Sequence, residues 1–507
     1  MILDNLLKAI KRVRNRFVVS YIDTFSFKFM FTCPKFYAKS LLNEFMPWKL
    51  DESINPNDDD QTYESSVEDK DSIIQRHREF LEMENIDEIA FDKKKGDEED
   101  DRETSELAYP CAAGKFHKTP MKWRYIACST KYSLRALSIW ISKSFKGLMP
   151  IVHKMWSAKT KEIDFHSEKS WIVENSASIP SLITHCNQNT APALRDQIVM
   201  RTYDFSKMYT NIQLDDLKNK LSILIDQLFT FKRNTGRDRF LSVPRDDSKE
   251  SSWKRQTFND SCNHKCVDAE KLKRWIHFLV DNIYLSFGDD KVLRQRIGIP
   301  MGTNCAVFVA NLFCFAYEFD FLVQLVDANR LDLVSKFSGT ARYIDDLFCV
   351  DNDMFSQYLY VSQTDAQGLH GIYPDFLTLN CEQESRESVS FLDVLVFRDD
   401  NIWCTKTYDK REHLPLSRIN QKKYPHPSSF LSVRSKYGII TSRMSCFGRV
   451  NIRKKDFIER TRLFIKEFRD RGYPLKEIRN FAGRFLKRNP LHFIVDGVLG
   501  KLFKDIL

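Results

Sequence analysis

Two adjacent carboxylates, Asp345 and Asp346, interrupt the otherwise apolar and aromatic run ARYIDDLFCV, Ala341–Val350. A buried carboxylate neutralises, pairs or binds a metal, and two side by side also repel each other. Something positive is therefore expected close by. The flanks ARYI and LFCV are short, rich in β-branched and aromatic residues, and followed by the polar DNDM, so the stretch predicts a β-hairpin with the Asp pair at or near its turn. Asp is also common in turns for local hydrogen-bonding reasons. The hairpin alone leaves a structural and a functional reading open.

The chain has 507 residues, enough for two to four packed units. Its net charge of +9 is unevenly spread. The stretch Asp51–Glu106 holds 22 acids against 7 bases, whereas residues 401–507 hold 25 bases against 9 acids. A basic body fits a polyanionic partner, with nucleic acid first among the candidates. The 12 cysteines follow no paired framework and no secretory leader precedes them, which suits a reducing compartment. The run Ala306–Val326 is long and apolar, but Asn311, Glu318 and Asp320 interrupt it, so a buried helix is expected there and no membrane association.

Along the chain, the acidic segment 51–106 contains NDDD and GDEEDDRE and few aromatic residues, and it is expected to be a mobile linker after a small N-terminal region, 1–50. Residues 232–268 are polar and turn-rich and predict a long loop. Within it, CNHKC offers Cys262, His264 and Cys266. Structural zinc needs four ligands at paired spacings, and only His277 lies near, so free thiols in a loop are the better reading. IVMRTYDFSKMYTNI, Ile198–Ile212, predicts a strand that breaks after Asp204 into a turn and a helix. IGIPMGT, Ile297–Thr303, predicts a Gly-Pro-Gly turn leading into the apolar helix, and VSFLDVLVF alternates like a strand. Together these describe an α+β fold rather than a doubly wound sheet.

A sheet that joins the strand ending near Asp204 to the hairpin at Asp345 and Asp346 gathers three carboxylates at one edge. Hard divalent cations prefer such oxygen ligands. Two Mg²⁺ ions about 3.5–4 Å apart can activate an attacking 3′-hydroxyl and steady a leaving pyrophosphate.

YIDD (Tyr343–Asp346), YDFSKMY (Tyr203–Tyr209) and GIPMGT (Gly298–Thr303) resemble motifs C, A and B of reverse transcriptases. GKFHKTPMKWRYIACST (Gly114–Thr130), DNIYLSFGDD, FLDVLV and TKTYDKREHLPLSRINQKKYPHPSSF are similar to one eukaryotic branch, the Penelope-like elements. The resemblance covers about residues 105–480, with the motifs in the family's order. It implies a right-hand polymerase with fingers at 107–200, palm at 201–404 including the 232–268 loop, and a helical thumb with a basic tail at 405–507. Asp204 and Asp345 match the two principal ligands of Mg²⁺, for which Mn²⁺ can substitute; Asp346 matches the third acid, and the Phe205 carbonyl would face a metal. Tyr209 matches the aromatic residue that excludes a 2′-hydroxyl, which argues against an RNA polymerase. Lys118 and Arg124 match fingers residues that close on the triphosphate. Pro300, Met301 and Gly302 match the turn where backbone approaches nucleotide and template.

The implied partners are an RNA template, a DNA primer, deoxynucleoside triphosphates and an assembly with the element's own RNA; the implied residence is nuclear. No lysine lies between Leu347 and Thr405 to act as general acid, and no GIY-YIG nuclease motif is found, so either an endonuclease-lacking member or a fragment of a longer element is expected. The contrasting reading is a domesticated RNA-binding scaffold that has lost catalysis. The retained acids favour the enzyme.

Overall fold

The computed structural model describes residues 13, 16–23, 29–51, 53–55, 58, 61–86, 106–116, 120–167, 169–261, 263–288, 291–299, 302–409, 424–488 and 502–503. They form two units, each assembled from separated stretches of chain.

The first unit comprises Met1–Ser170, Ser206–Asn329 and Tyr358–Thr378. Its spine is the helix Ala306–Asp327, apolar around nearly its whole circumference and buried accordingly. It packs against the helices Arg135–Lys161 and Leu214–Gly236, while Leu214–Gly236 also packs on Ala269–Asp281. This surrounding of protein makes Ala306–Asp327 a core helix, as its internal polar residues suggested. Glu318 is fully buried within it and accepts a hydrogen bond from the Tyr373 hydroxyl at 2.7 Å. Four small groups of strands among the described residues complete the unit. β1 (Val18–Tyr21) pairs with β2 (Phe29–Thr32), and β4 (Tyr109–Lys115) with β5 (Lys122–Cys128). β3 (Tyr63–Ser65) adds to β10 (Tyr284–Phe287) and β11 (Lys291–Gln295). A disulfide joins Cys111 of β4 to Cys128 of β5, a pairing not anticipated from the scattered cysteines.

Two expectations are corrected here. The acidic stretch is not a linker between residues 61 and 86. β3 pairs with β11, and the helix Lys70–Met83 buries Ile73, Ile74, His77 and Leu81. Asp69 caps that helix by accepting from the Ser72 N–H at 2.9 Å, and Glu84 beyond its end accepts from Trp275 Nε1 at 2.9 Å. The acids lie on the solvent face of an amphipathic helix, so a high charge count conceals a buried stripe. Residues 87–105 lie outside the described set.

The expected loop 232–268 is largely ordered structure. Leu214–Gly236 continues as helix to its end, and β7 (Phe240–Pro244) pairs with both β8 (Ser252–Lys254) and β9 (His264–Val267). Leu241 and Val243 are fully buried. Of CNHKC, Cys262 lies outside the described residues, His264 and Cys266 are in β9, and His277 pairs its Nε2 with the Ser222 hydroxyl at 2.9 Å.

His77 gives this unit a pH dependence. Its ring is fully buried, Nδ1 lies 2.7 Å from the Ser133 hydroxyl, and burial lowers its pKa to about 3. The folded state therefore holds it neutral while the unfolded state protonates near pH 6.5. Stability is expected to be present above that pH and to fall by about 1.4 kcal/mol per unit as pH drops below it. Denaturation of wild type and His77→Gln between pH 7.5 and 5 should show the steeper loss in wild type; parallel curves would remove His77 from the account.

The second unit comprises Trp171–Phe205, Arg330–Gln357 and Leu379–Leu507. Its main sheet is antiparallel, in the order β12 (Thr340–Tyr343), β13 (Asp346–Val350), β6 (Met200–Phe205), β14 (Leu379–Ser385). A second sheet follows from β15 (Ser388–Phe391), β16 (Val394–Asp399) and β17 (Ile402–Thr407). Ile198, Met200, Ala341, Phe348, Val389, Val394 and Trp403 form one core cluster with the helix Ile179–Asn189. Three helices lie toward the C-terminal end of the described residues: Val433–Val450, Lys454–Asp470 and Leu475–Arg488. They close on an aromatic core that includes Phe447, Phe457, Phe464, Phe468 and Tyr473.

Candidate active site

The opening hairpin forms as its composition predicts. β12 and β13 pair with Tyr343 opposite Asp346, leaving Ile344 and Asp345 as a two-residue turn. Ile344 carries a φ of +57°, unusual for a β-branched residue and the kind of backbone that persists only where the surroundings enforce it. The enforcement is visible. Arg342, fully buried, donates from a guanidinium nitrogen to the Ile344 carbonyl at 3.1 Å, while its own N–H donates to the Trp171 carbonyl at 2.6 Å. Arg342 thus braces the backbone of the turn from beneath.

β6 brings the third acid. Asp204 stands directly opposite Asp346 in the β13–β6 ladder, and the Phe205 N–H donates to the Asp345 carbonyl at 3.1 Å. Residues directly opposite in an antiparallel pair share a face with their Cβ atoms about 4.5–5.5 Å apart. Asp204 and Asp346 are thus neighbours on one face, and Asp345 is held at the same end of the sheet by a backbone hydrogen bond. On the other side of β6, Asn380 of β14 is in register with Asp204, exposed, and completes an Asp346–Asp204–Asn380 row. Sequence reading did not find Asn380, because a bulge between Cys381 and Gln383 sets its register.

The acids and the Phe205 carbonyl are hard oxygen donors, the chemistry that suits Mg²⁺ or Mn²⁺. Among the described residues, no three carboxylate, imidazole or thiol groups form a ready-made metal cage. Mg²⁺ asks for less, since it keeps waters and takes one or two carboxylates together with substrate phosphates.

The remaining candidates belong to the first unit. After Ser206, whose N–H donates to the Thr378 carbonyl at 2.8 Å, Lys207 takes a positive φ of 52° and starts the short helix Met208–Asn211 that carries Tyr209. The backbone at Gly298 and Ile299 is bound to this helix. The Ile299 N–H donates to the Tyr209 carbonyl at 2.6 Å and the Gly298 N–H to the Ile212 carbonyl at 2.7 Å. A Cβ on Gly298 would lie 2.4 Å from the Tyr209 carbonyl oxygen, and φ there is +89°. Gly302, with φ +120°, presses on β5: a Cβ would lie 2.1 Å from the Ala127 carbonyl oxygen, and the Ser129 hydroxyl donates to the Gly302 carbonyl at 2.5 Å. Arg124 of β5 pairs with Asp23 at 3.3 Å and stays about half exposed. Lys118, Pro300 and Met301 lie outside the described residues.

No protein-family model matches this chain, and no curated protein matches it. Solved structures do. Telomerase from Candida albicans, in complex with a fragment of telomeric RNA, superposes with a TM-score of 0.52 at 12% identity, over 100% of this chain and 72% of that one. Apo telomerase from Candida tropicalis gives 0.42 at 10% identity, over 97% of this chain and 66% of that one. The RNA-dependent RNA polymerase of a human picobirnavirus gives 0.39 at 12% identity, over 93% and 86%. The fold is that of a right-hand polymerase.

Within the first unit, the backbone at Gly298 and Ile299 fixes the short helix that bears Tyr209. The two glycines serve different contacts: Gly298 admits the Tyr209 backbone, and Gly302 admits β5.

Proposed function

We propose that this chain is an RNA-directed DNA polymerase of the Penelope-like element type, extending a DNA 3′ end on an RNA template. The observation that carries the reading is the row of carboxylates at one end of the sheet, with Asp204 opposite Asp346 and Asp345 in the braced turn beside them. Asp204, Asp345, Asp346 and the Phe205 carbonyl are the groups to hold two Mg²⁺ ions. When bound, such ions lower the pKa of the attacking hydroxyl and offset charge on the leaving pyrophosphate.

This chain's own residues supply positioning. Arg124, whose guanidinium is about half exposed beside the largely buried Asp23, is suited to charge-assisted contacts with the triphosphate. Tyr209, held by its backbone against Gly298 and Ile299, is assigned here to excluding a 2′-hydroxyl, as its match to the reverse-transcriptase motif implies. The three C-terminal helices, with an aromatic interior and exposed Arg443, Lys466, Arg479 and Arg484, suit a thumb that grips the phosphates of a template–primer duplex. Association with an element RNA and nuclear residence belong to the same proposal.

Primer extension on an RNA template with Mg²⁺ and labelled dNTPs tests it, with Asp345→Ala as control. Extension by wild type alone supports the polymerase; tight duplex binding with no extension by either protein supports the scaffold. Tyr209→Ala is expected to relax discrimination against ribonucleotides by about 10- to 200-fold, the range a single steric contact provides. An unchanged ratio of kcat/KM for dNTP over rNTP would free Tyr209 of the role.

A further inference from the structure

The N-terminal hairpin is inverted. Opposite residues of an antiparallel pair share a face, so Val19 with Phe31 and Tyr21 with Phe29 form one side of β1–β2. That side is the open one: these four residues are 46%, 59%, 64% and 53% exposed, and Phe17 beside them is 43% exposed. The rings pair across the strands, Tyr21 with Phe29 at 5.0 Å and Phe17 with Phe31 at 6.3 Å. The inner side carries Ser20 and Thr32, both buried, and neither hydroxyl has a hydrogen-bond partner among the described residues. A hairpin stabilised only by its own unit would bury the aromatics and expose the hydroxyls, a change of one residue in register.

The inversion is fixed by its attachment. Ile22 bridges to Gly114 of β4, the Asp23 N–H donates to the Gly114 carbonyl at 3.1 Å, and the Gly114 α-carbon sits against Met30, where a Cβ would lie 2.7 Å from Sδ. Among the described residues, the exposed charges of the segments that flank this hairpin have one sign. Across the described parts of residues 13–50 and 108–128, Arg16, Lys35, Lys39, Lys122 and Arg124 are exposed, while Asp23 and Glu44, the acids there, are not.

We propose that this face binds single-stranded RNA, its bases stacking on Tyr21, Phe29 and Phe31 and its phosphates meeting the surrounding lysines and arginines. Aromatic faces tolerate any base and cations track the backbone, which is the chemistry of single-strand platforms. The choice of RNA over DNA rests on the proposed RNA-templated reaction; the site itself does not depend on catalysis.

The test uses the full chain and a fluorescent, unstructured 20-nucleotide RNA at fixed salt. Tyr21→Ser/Phe31→Ser is expected to weaken RNA binding about 5- to 150-fold for each base that loses its stack, with an unchanged melting temperature, because both side chains face solvent. RNA containing 4-thiouridine should photo-crosslink wild type within residues 17–31, a readout that needs no variant. An unchanged Kd together with crosslinks elsewhere would overturn the site. Equal loss for DNA of the same sequence would overturn the assignment to RNA, and a dimer that becomes monomeric in the double variant would give the face to a second copy instead. Wild type that binds RNA through this face yet never incorporates nucleotide would sink the polymerase and keep the platform.

Discussion

Asp204→Asn and Asp345→Ala are each expected to lower incorporation about 10³-fold, the several kcal/mol that a metal-held transition state commands, while duplex affinity stays near wild type. Asp346→Asn is expected to behave differently. Its carboxylate stands directly opposite that of Asp204, and like charges in that position destabilise an antiparallel pair. Neutralising it should raise stability by roughly 0.2–1 kcal/mol even as activity falls. A melting temperature that rises while turnover drops would show that the acid row is kept against the interest of the fold. Full extension by Asp345→Ala would end the two-metal reading, and a melting temperature that falls in Asp346→Asn would mean that Asp346 is held by favourable contacts stronger than its repulsion from Asp204.

The sequence read most clearly where composition conflicts with local structure. Two acids among β-branched and aromatic neighbours predicted a hairpin with a charged turn, and β12 and β13 form it. The same logic placed the run Ala306–Val326 in a core, because its few polar residues are too many for lipid, and the helix Ala306–Asp327 is buried there. Reading failed where averages hide geometry. The segment 61–86 has acid enough to look unfolded, yet Ile73, Ile74, His77 and Leu81 make one buried face. β7 and β9 pair across about twenty intervening residues, and no local signal in a Ser- and Asp-rich stretch announces a partner that distant. Asn380 was hidden for a related reason, since its alignment with Asp204 depends on a bulge. Arg342 was in plain view beside Tyr343, but its role as a brace under the turn follows only from its burial and its bond to the Ile344 carbonyl.

Gly298→Ala carries the second large effect. A single methyl group meets the Tyr209 carbonyl oxygen at 2.4 Å and the Thr210 α-carbon at 2.7 Å, and both are backbone, so no side chain can turn aside. The positive φ of 89° adds strain of about 1–3 kcal/mol for a residue with a Cβ. Relief requires the IGIPMGT turn and the Tyr209 helix to part, which breaks the bonds from Ile299 to Tyr209 and from Gly298 to Ile212. A displacement near 1 Å at a positioning residue costs about 10²-fold in rate. Extension by Gly298→Ala should therefore fall by about that factor, with sugar discrimination impaired in the same variant because the tyrosine ring moves with its backbone. Gly302→Ala clashes with β5 instead, at 2.1 Å from the Ala127 carbonyl oxygen, and should lower activity without relaxing the sugar preference. If both variants changed discrimination alike, the turn would be acting as one rigid piece; if Gly298→Ala kept full activity and selectivity, the turn would have no part in placing Tyr209.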